Sequence, residues 1–308
     1  MAISYNPSAF LKGAKTTFAM GYNPDLTWLD KLCYKVTSVA DSEVHPWVGQ
    51  PPQMVELIDG ESVLFTGLSD ASVTLTNKTY AAGLEFLRKH IDDQQNGVLD
   101  LRVRQAADVA SGIYNKHLTD LIVDGTNTTT TAYDGAAFFS GTHPARIDSG
   151  AQDNLLAGTG TTTAQITTDL AAAIAWIQTC LAENGEPFAG GVNLKFTAMC
   201  PAAIAHNFRE VLTASVISQT TNIYMGAAEL IVNPRLDATD TGDWYLFAET
   251  PSMKPFIYQE RDGIEFSSQD GTQESDATFT RELYRYKVRA RHAFGYGYWQ
   301  LATKTVNS

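Results

Sequence analysis

The stretch VLDLRVRQAADVASGIYNKHLTDLIVD, residues 98–124, carries apolar or small residues at Leu99, Val103, Ala106, Ala110, Ile113 and Leu121, with Ala107, Tyr114 and Leu118 widening the stripe. Steps of three and four persist along it, which predicts one long amphipathic helix with a single buried face. Asn96 and Gly97 suit its start, and Gly125, followed at once by a Thr-rich run, suits an end that needs a left-handed residue. At 1.5 Å per residue such a helix is about 40 Å long, roughly the width of a domain, so other segments must pack along it as along a spine. Taken alone, an ordinary core helix of an enzyme explains this segment better than anything rarer.

The bulk properties narrow the choice. A chain of 308 residues suggests about two domains and buries enough surface to fold without disulfide staples. Cys33, Cys180 and Cys200 are odd in number and lack zinc or redox spacing, so free, mostly buried thiols in a reducing compartment are expected. The N-terminal MAISYNPSAFLKGAKTTF has no apolar run of signal-peptide length, and no stretch of about eighteen apolar residues occurs, so neither export nor a membrane anchor is expected. A formal net charge of −12 argues against tight binding to nucleic acid, since affinity for phosphates comes from Lys and Arg displacing counterions. A role around DNA, without gripping it, stays open.

Before the spine, residues 1–46 offer Trp28, Leu29 and Leu32 for a short helical piece but no core of their own, and read as an arm lying on something else. Residues 47–80 change character: MVELI, SVLFTGL and ASVTLTNKTY are β-prone runs separated by turn residues, which predicts an extended hairpin. Val63, Leu64, Phe65 and Leu68 need cover that a two-stranded hairpin cannot supply. Its own domain or another subunit would serve equally. TYAAGLEFLRKHI then reads as a strand or short helix leading into the spine.

After the spine, a polar stretch over residues 125–163 encloses an aromatic island, YDGAAFFSGTHP, residues 133–144. A second helix is predicted over residues 164–183, with Ile166, Leu170, Ala173, Ile174, Ile177 and Leu181 on one face. The strand LKFTAM, a helix over residues 201–212, AELIVN and WYLFAE suggest a small α/β domain, residues 186–259. The remainder, residues 260–308, returns to strands.

Within it, ELYRYKVRARH has period two: Tyr284, Tyr286, Val288 and Ala290 on one face, Arg285, Lys287, Arg289 and Arg291 on the other. Four cations in a row in so acidic a chain suit a polyanion, either DNA or the acidic surface of a neighbouring copy. A solvated sheet face with internal Asp and Glu partners accounts for them equally well.

Enzymatic signatures are missing: the chain has no GxSxG elbow, P-loop, HExxH helix or GxGxxG after a strand. No His has a second His or a Cys at metal-ligand spacing, and no cofactor is implied. The constellation to weigh is Asp134 with His143, a possible base and orienter, and Ser140 as nucleophile. These residues lie among Gly135, Gly141 and Pro144, where local hydrogen bonds to backbone are the commoner use, so no catalytic residue is assigned.

Tyr133-Asp134-Gly135, Phe138-Phe139 and His143-Pro144 resemble the YDG...FF...HP signature of the major head (capsid) subunit of Mu-like phages. WVGQ at Trp47, NKTY at Asn77, KPFIYQER from Lys254 and GYGYWQLA from Gly295 are similar to further blocks of that family. The resemblance, spanning about residues 47–302, implies an α+β chain of the Hong Kong 97-type capsid fold: an N-terminal arm (1–46), an extended loop (47–80), a peripheral domain with the spine (81–185), an α/β axial domain (186–259) and a C-terminal return (260–308). It also implies a non-enzymatic subunit that joins its own copies in pentamers and hexamers of a phage or prophage head enclosing double-stranded DNA without sequence-specific contact. Scaffold, portal and head-completion or decoration proteins would be its partners, with assembly in the host bacterial cytoplasm. Val63, Leu64, Phe65, Leu68 and the Arg285, Lys287, Arg289, Arg291 row then become candidate inter-subunit contacts. Some relatives of the fold crosslink a Lys to an Asn, which draws notice to Lys78, although no motif for it is present. A cellular nanocompartment shell of the same fold, and a soluble hydrolase using Asp134 and His143, are the alternatives.

Overall fold

A computed structural model describes residues 7–48, 70–87, 89–90, 96–143, 151–182, 185–189, 194–217, 219–251, 253–269 and 280–307. Helices α1 (Pro7–Gly21) and α2 (Thr27–Leu32) lead into strand β1 (Cys33–Thr37). Strands β2 (Ser42–Val48) and β3 (Asp70–Thr76) form an antiparallel ribbon in register from Ser42↔Thr76 to Val48↔Asp70. Strand β4 (Lys78–Leu87) follows. The ribbon is the base of the expected hairpin. Its far part, with Val63, Leu64, Phe65 and Leu68, lies outside the described residues.

The predicted spine is present, in two pieces: α3 (Asn96–Ser111) and α4 (Ile113–Val123), parted at Gly112. Its buried seam runs through Leu99, Val103, Ala107, Ala110, Tyr114, Leu118 and Ile122, so Ala106, Ile113 and Leu121 sit at the margin rather than in the centre. Gly125 is not left-handed, as it is absent from the positive-φ glycines. A Cβ there would lie 2.6 Å from the Phe139 ring, so the aromatic island, folded back over the helix end, is what demands glycine.

Beyond the island come β5 (Leu155–Ala157), α5 (Thr163–Thr179), β6 (Lys195–Cys200), α6 (Ala205–Thr213), the short pair β7 (Val216–Ile217) and β8 (Thr220–Thr221), β9 (Glu229–Val232), β10 (Trp244–Glu249), β11 (Phe256–Ser268), β12 (Leu283–Tyr296) and β13 (Ala302–Val306). Two main sheets result, with strand orders β1-β11-β12-β4 and β5-β13-β10-β6-β9. The spine lies on the first: Leu99, Val103, Ala107 and Ala110 pack on Phe86, Tyr284, Tyr286 and Val288. Helices α5 and α6 lie on the second, Ile166, Leu170, Ala173 and Ile177 meeting Phe196, Phe208, Trp244 and Leu246. Between the sheets a further cluster joins Leu118 and Ile122 of the spine to Phe138, Phe139, Tyr245, Phe247, Phe256, Tyr296 and Trp299.

Sheet membership does not follow the expected borders at residues 185 and 259. Helix α5 and strand β5 belong with the second sheet, and β13 returns to it. The N-terminal segment lies on other parts of the chain: Ala14 and Phe18 join the spine cluster, Leu29 and Leu32 the central one, and β1 pairs in parallel with β11. These are non-local pairings, on which periodicity along one segment is silent. Gly297 lies against neighbouring backbone, since a Cβ there would lie 2.7 Å from the Lys254 carbonyl oxygen.

Candidate functional site

Asp134, Ser140 and His143 are brought together by the island, in a way that excludes the catalytic use weighed for them. His143 is fully buried and stacked on Trp299 at 3.8 Å between ring centroids with 3° between planes. Its Nδ1 lies 2.7 Å from Asp134 Oδ2 and its Nε2 3.1 Å from Asn154 Oδ1. Asn154 Nδ2 donates to the carbonyls of Phe138 and Ala302 at 2.8 and 3.2 Å, while its Oδ1 accepts from the Ser140 N–H at 2.8 Å. The amide is thereby fixed, and His143 must donate through Nε2. Neither ring nitrogen is left to serve as a base. The Ser140 hydroxyl accepts from the Thr142 N–H at 3.1 Å, as a turn residue does. This is a clasp between the island, β5 and β13. Asn154, its centre, gave no sequence signal, because one Asn in a polar loop looks like any other.

Other nucleophiles and ligands are equally withdrawn. The three thiols are free and buried, and burial pushes Cys180 and Cys200 up to about 12. No cluster of His, Cys, Asp and Glu able to hold a metal occurs among the described residues. No helix among them is long and apolar enough to cross a membrane.

The cationic row keeps its predicted alternation, with Tyr284, Tyr286, Val288 and Ala290 buried beneath it. Arg285 Nε meets Glu85 Oε1 at 2.7 Å on the paired strand β4, Arg289 meets Asp262 at 3.3 Å and Arg291 meets Asp41 at 2.5 Å. Lys287 is exposed and faces Gly83 on one side and Ser267 on the other in the strand register. The acids Asp41, Glu85 and Asp262 are remote in sequence from the row they neutralise. Exposed Lys78 opens β4.

A histidine pair, His292 buried and His117 half-buried, joins the spine to the first sheet, and the sequence did not single it out. His117 Nδ1 on α4 lies 2.9 Å from His292 Nε2 on β12, and Tyr80 of β4 stacks on the His292 ring at 4.7 Å and meets the His117 ring at a tilt at 4.1 Å. His292 Nδ1 is buried without a partner among the described residues, which fits a lone pair better than an N–H. The pair is therefore held by a proton on His292 Nε2 donated to His117. Burial, followed by the neighbouring His117, lowers His292 from 6.5 to about 4. The stability this neutral ring contributes is complete above pH 6.5, where the unfolded chain is also neutral, and is lost as pH falls from 6.5 towards 4. Over that window the loss should approach about 3 kcal/mol. Urea unfolding of the unassembled subunit at pH 7 and pH 4.5 should show it, and His292→Gln should flatten the difference. An equally steep variant would place the acid sensitivity elsewhere.

The two sheets, with helices laid on one face of each and a spine running between them, define a class of proteins. A phage JBD30 capsid structure aligns with a TM-score of 0.55 at 14% identity, covering 93% of this chain and 66% of that one. The capsid structure of the cyanophage P-SCSP1u aligns with a TM-score of 0.57 at 11% identity, covering 91% of this chain and 88% of that one. The fold is thus the Hong Kong 97-type capsid fold, α+β in class. The family model "Mu-like prophage major head subunit gpT" matches residues 8–166 and 234–308, and the chain belongs to that family. It is 24% identical over 269 residues to the Mu-like prophage FluMu major head subunit of Haemophilus influenzae, covering 87% of this chain. The chain spans 62% of the length of that relative.

Proposed function

We propose that this chain is the major subunit of a Mu-like phage or prophage head, assembling with its own copies into a closed shell around packaged double-stranded DNA. The observation that carries the reading is the family match over both flanks of the chain, residues 8–166 and 234–308, in a chain whose clasp and thiols offer no reactive centre. Membership of that family also favours a phage head over a cellular nanocompartment.

The work is geometric. Each subunit makes head-to-tail contacts that close into pentamers and hexamers, which tile a shell. Each contact alone is weak, yet a subunit meets several neighbours, so later contacts form at high effective concentration. The first sheet with the spine serves as the peripheral domain and the second as the axial domain. The loop carrying Val63, Leu64, Phe65 and Leu68 gains its cover on a neighbour, at about 25 cal/mol per Å² of apolar surface buried. Within the cationic row, Lys287 is the member presented to a neighbour's acidic surface, while Arg285, Arg289 and Arg291 hold Glu85, Asp262 and Asp41. Partners follow from the reading: a scaffold, a portal and head-completion or decoration proteins, with assembly in the host bacterial cytoplasm and residence in the virion. DNA is enclosed by an acidic wall rather than gripped.

A charge of −12 per copy opposes assembly over about one Debye length, near 8 Å at physiological salt. Shell yield is therefore expected to fall as salt is lowered, read by light scattering from 0.3 M to 0.01 M. Sedimentation velocity tests the function itself: particles of megadalton size support it, and a species that stays at the 33.6 kDa chain mass at all concentrations overturns it.

A further inference from the structure

The ribbon β2–β3 is seated near its base on the first sheet, on the face turned away from the spine. Strand β11 directs Phe256 and Tyr258 into the central cluster that the spine shares, and Ile257 and Gln259 the other way, beneath the ribbon. From above, Glu43 and His45 of β2, Val73 and Leu75 of β3 and the following Asn77 face the sheet by alternation. The apolar part of this seat is small. Leu75 and Val73 rest on Ile257 and Ala293, and a side chain at Gly295 would overlap Leu75. Apolar contact is non-directional, so such a patch holds the ribbon down without fixing its angle.

Beside it lies a connected set of polar side chains. Gln259 is fully buried: its Nε2 donates to Asn77 Oδ1 at 2.8 Å and to the Leu75 carbonyl at 3.3 Å, and its Oε1 accepts from His45 Nε2 at 2.8 Å. Buried Asn77 donates through Nδ2 to Ser38 Oγ at 2.8 Å and to the Ala40 carbonyl at 2.9 Å. Ser38 Oγ donates to Glu43 Oε1 at 2.9 Å, and the same oxygen accepts from the Val39 and Ala40 N–H groups at 3.0 and 3.1 Å. The Ser38 N–H reaches the Glu260 carbonyl at 2.8 Å, which ties the turn back to β11. Every polar side-chain atom of Gln259 and Asn77 is thereby partnered, and each amide fixes the orientation of the other. Both strands are gripped, β2 through Glu43 and His45, β3 through the Leu75 carbonyl and Asn77.

A satisfied buried network is directional where an apolar seat is not. The arm that it aims is long. Seven paired positions, from Ser42↔Thr76 to Val48↔Asp70, extend the ribbon by about 20 Å, so a tilt of about 10° at the base moves the far end by about 3.5 Å. A displacement of that size takes any side-chain contact made from the far end out of reach.

We propose that Gln259 and Asn77 are positioning residues for assembly: the amide network centred on them sets the angle at which the ribbon leaves the sheet, and with it the uniformity of the shell. The proposal rests on the shell reading and adds the residues that fix the direction of the arm.

Pulsed electron spin resonance measures the angle as a distance. Ser72→Cys on the ribbon and Ser267→Cys on β11 place spin labels at two exposed positions, while the native thiols are buried and stay unlabelled. Unassembled chains with Gln259 are expected to show one narrow distance distribution. Gln259→Met keeps the bulk of the side chain and removes its hydrogen bonds, and should widen the distribution about two-fold. Without labels, the same variant should assemble into particles of mixed shape in electron micrographs where the parent chain gives one. Should Gln259→Met not fold, His45→Ala removes a single hydrogen bond at the half-buried margin and should widen the distribution in smaller measure. A distribution as narrow as the parent's overturns the positioning role, and a widened one with uniform shells overturns its link to assembly. A parent chain that forms no particles defeats the shell reading instead, and the distances then still report whether the network fixes the ribbon.

Discussion

Removing residues 60–68 and closing the gap with a short linker is expected to leave a folded chain that no longer forms shells. The folded part has its own cores among the described residues: the spine cluster, the central cluster and the α5–α6 cluster. The ribbon β2–β3 keeps its seven paired positions, so the base of the loop stays in register. What disappears is a set of four apolar side chains, Val63, Leu64, Phe65 and Leu68, together with Gly60 and Glu61 before them. Burying such side chains contributes about 1.5 to 3 kcal/mol each, less the cost of ordering the loop, and each copy makes the contact once. Because a shell requires every neighbour contact, a loss of several kcal/mol per copy raises the concentration needed for assembly by several powers of ten. Circular dichroism and thermal unfolding should match the parent chain, while electron micrographs show no shells. Shells from the shortened chain would refute the role given to the loop.

Asn154→Ala is expected to be the most damaging single substitution described. It removes the acceptor of the Ser140 N–H and of His143 Nε2, and the donor to the carbonyls of Phe138 and Ala302, all in a site where Asn154 is fully buried. A buried polar group left without its partner costs about 1 to 3 kcal/mol, and Asn154 holds several at once, so a loss of about 3 to 5 kcal/mol follows. The melting temperature of the unassembled subunit should fall by about 10 °C. His143→Ala should cost a similar amount and Ser140→Ala very little, because the Ser140 side chain only caps a turn. The reverse order would revive the idea that the Ser140 hydroxyl is the working group.

Patterns confined to one segment were legible in the sequence, and those spread over distant segments were not. The spine showed itself by its period, and so did the two faces of β12, because a helix and a strand each repeat within a few residues. The break at Gly112 and the reason for Gly125 were hidden, since the second depends on a Phe139 ring brought back from the island. The arm looked unsupported because Leu29 and Leu32 find their neighbours on the spine and on β11, far along the chain. For the same reason the row Arg285, Lys287, Arg289, Arg291 was visible as cations while Glu85, Asp262 and Asp41 were not visible as their partners. The pair Asp134 and His143 was correctly suspected of meeting, and its fate as a clasp was decided by Asn154 and Trp299, which no local motif announces.

All of this turns on whether the chain is a tile, and electron cryomicroscopy of the purified protein, assembled at moderate salt, decides it most directly. The account predicts closed icosahedral shells in which the second sheets meet around five-fold and six-fold axes and the loop of each subunit lies on the first sheet of the next. Particles that remain single chains or small fixed oligomers at every concentration, with the loop folded against its own subunit, would contradict it.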